Sequence, residues 1–171
     1  MKKKNIPAAK SDSETRATSS HAQELRLWLR MLACTNLIEG EIRSHLRTQF
    51  NMTLPRFDLM AQLERSPEGM KMGELSKRMM VTGGNVTGIT DQLVEEGLVV
   101  REDNPKDRRA YNVKLTPLGR KAFMKMAAAH EIWIVELLGV FSEKERDQFY
   151  DLLAKLKAHV SSFTAPGSNP A

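Results

Sequence analysis

The residues of this chain that can do chemistry are cations and small polar groups, not a catalytic set. Lys106, Asp107, Arg108 and Arg109 stand together behind the turn-forming run Asp103-Asn104-Pro105. Guanidinium groups at the tip of a hairpin can reach the minor groove of duplex DNA, whose negative potential attracts them. Asp107 cannot favour DNA by its own charge. It fits as the group that holds an arginine in a fixed pose through a bidentate pair. Upstream lies a second candidate set: Thr82, Gly84, Asn85, Thr87 and Gly88. Asn can bond adenine through both amide atoms, and Thr offers a hydroxyl and a methyl to base edges. The bland alternatives are a solvated charged hairpin and a Gly-rich capping turn.

The elements that must position these residues can be read from pattern. Leu75 and Met79 share a face of a short helix at about 73–80. Val81-Thr82-Gly83-Gly84 interrupts it, and Thr82 is placed to cap the next helix, at about 84–96. Val86, Ile89, Leu93 and, at the edge, Thr90 project to one side of that helix. The opposite side runs from small and neutral (Gly84, Thr87, Gly88) to acidic (Asp91, Glu95). An acidic surface cannot lie along phosphates, so this helix must approach DNA by its N-terminal half. Gly97 then ends it, Leu98-Val99-Val100 reads as a strand, and Tyr111, Val113 and Leu115 alternate with Asn112 and Lys114 as a second. Residues 101–109 form the charged hairpin between them. Thr116-Pro117 opens the following helix. The order is helix-turn-helix plus wing.

These residues carry a family resemblance. Glu96-Gly97-Leu98-Val99 with Arg101, Asp103-x-x-x-Asp107-Arg108-Arg109-Ala110, and Leu115-Thr116-x-x-Gly119 resemble the signature of the MarR family of transcriptional regulators, which are winged helix-turn-helix dimers. The likeness extends over about residues 25–160. It implies that residues 83–96 are the recognition helix and residues 101–111 the wing, with Arg109 as the minor-groove arginine steadied by Asp107. One departure stands out: many relatives have an arginine or lysine in the recognition helix, and residues 84–96 contain none.

The 171 residues suffice for one domain with a real core, and 41% hydrophobic with 27% charged is ordinary for a globular protein. The net charge of +5 permits a polyanionic partner. Residues 101–125 concentrate it, with eight basic residues against three acidic. A single cysteine, Cys34, excludes an intramolecular disulfide and reads as a packed helix residue. No apolar run is long enough for a membrane span, and no apolar region follows the initial lysines as a signal peptide would require, so a cytoplasmic protein is expected.

The expected fold class is mainly α with a small β-wing. Residues 1–19 read as a disordered basic tail and 164–171 as a disordered tail. Residues 51–116 form the winged helix-turn-helix DNA-binding region. Residues 20–50 and 117–163 are dimerisation helices, because Leu25, Leu27, Trp28, Leu29, Met31 and Leu32 occupy more than one stripe and need a second partner. A C2 homodimer would cover them and set two reading heads on a rough palindrome.

No catalytic motif is present: no nucleophile elbow, His-Glu-x-x-His motif, P-loop or Rossmann fingerprint includes His21, His45, His130 or His159. No enzyme activity, metal or cofactor is expected, since Glu41 and His45 lack a third ligand. The resemblance implies instead a small-molecule effector: an aromatic acid, a phenolic compound or an acyl-CoA. Trp28, Phe57 and Trp133 would wall its site, with Arg43, His45, Arg47, Arg56 and His130 as partners for its charge. The function so implied is a sequence-specific double-stranded DNA-binding transcriptional regulator. It would be a repressor by family default, released from its operator by an anionic effector. The alternative is a non-specific architectural DNA binder.

Overall fold

A computed structural model describes residues 22–80, 82–104 and 107–163. Both expected terminal tails, with Lys106 of the wing, lie outside the described residues. The elements run α1 (Ala22–Phe50), α2 (Leu54–Glu64), β1 (Met70–Lys71), α3 (Met72–Met79), α4 (Gly83–Glu95), β2 (Val99–Asn104), β3 (Asp107–Leu115), α5 (Pro117–Leu137) and α6 (Glu143–Phe163). The chain divides into two compact units between Ala128 and Ala129, inside α5.

The first unit holds the reading head. Its core gathers Leu46 of α1, Leu59, Met60 and Leu63 of α2, Met70 of β1, Leu75 of α3, Val86 and Leu93 of α4 and Val113 of β3, all almost wholly buried. Phe57 of α2 stacks on Phe123 of α5 with ring centroids 5.5 Å apart. Burial of this kind is the main stabilising term of such a head. The sheet is antiparallel with order β1-β3-β2, Met70 facing Val113 and Val99 facing Leu115.

Several sequence expectations are corrected here. The turn between α3 and α4 is not made by the glycine pair. Met80 closes α3 in the left-handed region at φ 53°, and Gly83 and Gly84 lie in the first turn of α4. Left-handed backbone is costly for a side chain without a local polar bond, so nothing in the methionine's chemistry announces it. Thr82 does occupy the N-cap position, but its side chain makes no capping hydrogen bond. The charged run is not a long hairpin loop. β2 extends through Arg101 to Asn104 and β3 starts at Asp107, because ladder hydrogen bonds need backbone groups and not apolar side chains. β1, two residues long, is too short to leave a period in the sequence. α5 stops at Leu137, whereas α6 ends at Phe163, the bound expected for the terminal helices. Cys34 is exposed and not packed.

One corner of the first unit explains the Leu-Thr-x-x-Gly run. Gly97 ends α4 at φ +68°, with Gly97 N donating to Val94 O at 2.9 Å and Leu98 N to Leu93 O at 2.9 Å. That pair of bonds is a Schellman closure, which favours glycine. Thr116 then binds the corner twice. Its hydroxyl donates to Gly97 O at 2.7 Å, and accepts from Gly119 N at 2.9 Å as the cap of α5. A Cβ built on Gly119 would stand 1.8 Å from Leu98 O, so α5 can start here only with glycine.

The second unit is a helical pair of ends. Within it His130 meets Trp133 edge-on, centroids 6.3 Å apart. Ser142 and Glu145 form a capping box at the start of α6: Glu145 N donates to Ser142 Oγ at 3.4 Å and Ser142 N to Glu145 Oε2 at 2.8 Å. The Ser142 hydroxyl, donating to Glu145 Oε2 at 2.7 Å, and after it the Ser142 N–H hold the Glu145 carboxyl below its ordinary range. No residue of α6 is buried, although Leu152, Leu153, Leu156 and Val160 recur at helical spacing. Among the described residues no helix is long and apolar enough to cross a membrane.

Candidate nucleic-acid interface

α4 is held by its inner face and left bare on its outer one. Val86, Thr90 and Leu93 are buried, and the Thr90 hydroxyl is spent on Val86 O at 2.8 Å. Thr82, Gly84, Asn85, Thr87 and Gly88 are all exposed and sit together around the helix's first two turns. A Cβ on Gly83, Gly84 or Gly88 would meet nothing within 4 Å. Glycine is therefore not required there by the protein's own packing, and its presence lets a partner approach the backbone closely. The Thr87 hydroxyl donates to Gly83 O at 3.0 Å. Its oxygen is left to accept, and its methyl is left to meet an apolar group.

The acidic half of α4 is not simply solvated. Asp91 pairs with Arg101 of β2, and Arg101 lies over the Tyr111 ring, 5.1 Å from its centroid. Glu96, just past α4, pairs with Arg56 of α2, whose side chain is 9% exposed. These two pairs fix the recognition element at both its neighbours. Neither was legible in the sequence, because partners 10 and 40 residues apart share no local spacing. A cleft of about 470 Å³ runs between the start of α2 and α4, lined by Thr53, Pro55, Gly84, Asn85, Gly88 and Gln92 among others.

In the wing, Asp107, Arg108 and Arg109 occupy the first three positions of β3; Asn104 faces Asp107, and the register then breaks, Tyr111 being the next β3 residue with a partner on β2, Asp103. The backbone thus places the expected cations at the tip of a protruding ribbon. Below the tip, Lys114 bonds Glu102 at 2.7 Å across the strands, which raises the lysine's pKa.

Within the first unit, two of the residues expected to hold an effector are engaged by the protein's own structure. Arg56 is buried and engaged by Glu96, which removes it as a free cation. Phe57 is a core residue stacked on Phe123. Arg43 pairs with Glu39 at 3.4 Å along α1, His45 contacts Gln49, Arg47 is exposed, and Trp28 stands out from the surface. His130 and Trp133 belong to the second unit. Burial lowers the His130 pKa, which favours its neutral form. A cavity of about 460 Å³ lies elsewhere, walled by Phe50, Met52, Leu98 and Leu118 with Lys121 and Lys125 at its edge. None of the eight expected residues lines it. Among the described residues no group of three or more His, Cys, Asp or Glu could hold a metal.

Known proteins share this architecture. A crystal structure from Silicibacter pomeroyi, a MarR family transcriptional regulator, is 33% identical, with a TM-score of 0.70 over 85% of this chain and 99% of its own. The chain belongs to the MarR family. The MarR family model matches residues 52–111, the span from α2 to the wing. The uncharacterized HTH-type transcriptional regulator YkoM of Bacillus subtilis is 32% identical over 128 residues, 74% of this chain and 80% of the relative. The HTH-type transcriptional repressor YetL of the same organism is 25% identical over 95% of this chain and 99% of its own. A mutant E. coli MarR complexed with operator DNA shares the fold, at 22% identity and a TM-score of 0.70. This MarR-family chain is accordingly a winged helix-turn-helix, DNA-binding transcriptional regulator. Its relatives regulate transcription; none of these is an enzyme by name.

Proposed function

We propose that the protein is a repressor that binds a palindromic operator as a homodimer and leaves it when a small anionic effector binds. The bare N-terminal half of α4 carries this reading: exposed Asn85 and Thr87 flank glycines that nothing in the protein needs. Asn85 offers adenine a bidentate partner, and Thr87 an acceptor and a methyl. Arg108 and Arg109 at the ribbon tip supply the minor-groove cations that α4 lacks. YetL, named as a repressor and similar over nearly the whole chain, supports repression.

The dimer is supported by apolar surface. α6 buries nothing, and Leu27, Trp28 and Leu37 of α1 stand exposed. Exposed apolar side chains at helical spacing mark an interface on each of these helices, and a second copy covers such surface by two-fold symmetry. The effector reading draws support from the cavity lined by Lys121 and Lys125, whose apolar walls and cations suit an aromatic acid or its CoA thioester; Glu96, which also lines it, is paired with Arg56. The ligand acts through its differential affinity for head spacings that do not match the operator.

The test is selection from random duplex DNA, with wild type and Arg109→Ala in parallel. A palindrome recovered by the wild type and weakened in the variant is the expected result. Retention without a consensus points to an architectural binder. Absence of retained DNA at low salt overturns the proposal. Effector candidates are then screened on the recovered duplex, and a panel of aromatic acids and acyl-CoAs that leaves its affinity unchanged removes the effector clause alone.

A further inference from the structure

The wing protrudes past its support. β1 pairs with β3 at Val113 and Asn112, so among the described residues no third strand backs the ribbon from the Asp103–Tyr111 rung to the tip. A two-stranded ribbon is marginal by itself in water. At its neck stands Arg101. Its cross-strand partner is Val113, which places it beside Tyr111 two residues along β3. The guanidinium lies over the Tyr111 ring and pairs with Asp91 of α4. Three elements, α4, β2 and β3, therefore meet on one side chain.

We propose that Arg101 is the positioning residue that sets the angle of the wing against the recognition helix. The wing tip and the first turns of α4 then meet one duplex in phase. Arginine suits this position as lysine does not, because its planar fork can bond a carboxylate at its edge while its face rests on an aromatic ring. The lever is long. From Arg101 to Asn104 the ribbon advances about 10 Å at about 3.3 Å per residue, so a tilt of about 10° at the neck moves the tip by about 2 Å. That is about a third of the width of a minor groove about 6 Å across, enough to misalign an arginine with the atoms it bonds there. Asp91 gains a role by the same geometry, since the acid that cannot face phosphate becomes the anchor of the wing.

The inference rests on the reading that Arg109 touches DNA, and a double-mutant cycle separates the two. Arg101→Ala, Arg109→Ala and the double variant are titrated against the duplex recovered by selection, or against the random duplex pool where no consensus emerges. Arg109→Ala is expected to weaken binding by about tenfold or more, the loss of one good contact. Arg101→Ala should cost a similar factor, and the double variant should bind no worse than Arg109→Ala alone. Arg109→Ala without effect overturns the wing reading, and with it this proposal. Arg109→Ala with an effect that multiplies with that of Arg101→Ala overturns the positioning role only, as does Arg101→Ala without effect. Arg101→Lys keeps the charge and loses the fork, and carries the same cycle should the alanine variant fold poorly. The exchange Asp91→Arg with Arg101→Asp should recover part of the affinity, which a role in stability alone would not require.

Discussion

Alanine at Gly88 should make this protein more stable and a poorer DNA binder. Gly88 lies in the interior of α4, where glycine costs about 1 kcal/mol relative to alanine through lost backbone freedom. That gain is usually offset when the new methyl collides with packed neighbours. Here a Cβ at Gly88 meets nothing within 4 Å, so the offset vanishes. For a chain of 171 residues a gain of about 1 kcal/mol raises the melting temperature by about 2–4 °C. On DNA the sign reverses. A methyl on a surface that lies against base edges holds the helix off by about its own radius, and each 1.4 kcal/mol of lost contact is about tenfold in affinity. Thermal melting and a titration of selected duplex, on the same preparations of wild type, Gly88→Ala and Gly84→Ala, check both halves. A lower melting temperature would mean hidden packing around α4. A higher one with unchanged affinity would mean that this face does not touch DNA, and would refute the assignment of the recognition surface.

Other substitutions probe the joints. Gly119→Ala places a methyl against the Leu98 carbonyl and should cost about 3 kcal/mol or more, read as a large loss of melting temperature or of soluble protein. Glu96→Gln leaves the buried Arg56 guanidinium without its carboxylate; chemical denaturation should show a loss of about 1–3 kcal/mol. Ser142→Ala removes the side-chain half of the capping box at α6 and should cost about 1 kcal/mol, with helix loss confined to that end in hydrogen exchange. His130 should make stability fall with acid. Its folded pKa is lowered, so its contribution is complete above the unfolded value of about 6.5 and is lost as pH falls from there through the folded value. His130→Gln should flatten that part of the stability curve.

How much of this was visible in the sequence depends on range. α4's inner face, its Gly97 stop and the Thr116-Pro117 start are local patterns, and each appears where its residues implied. What was missed is either too short or too distant. β1 has two residues and no period. Met80 adopts a glycine-like backbone without being glycine. The charged run of the wing hid its strands, because pairing is made by backbone groups that composition does not report. At the candidate site, exposure of Asn85 and Thr87 followed from helical phase, whereas Arg56 and Arg101 looked like surface cations until their acidic partners came into view. A basic residue predicted to be solvated is the hardest kind to place, since its partner can sit on any element.

α6 has 21 residues and buries none of them. If the protein is the homodimer proposed above, such a helix contributes little until the second copy covers it, and folding and self-association would become one equilibrium. Copy number then acts on the regulator twice. Diluting it lowers the number of heads available to DNA, and it also lowers the fraction that is intact. Operator occupancy should therefore rise more steeply than in proportion to total protein, and a lightly expressed gene for this chain would sit near a threshold that modest changes in synthesis could cross.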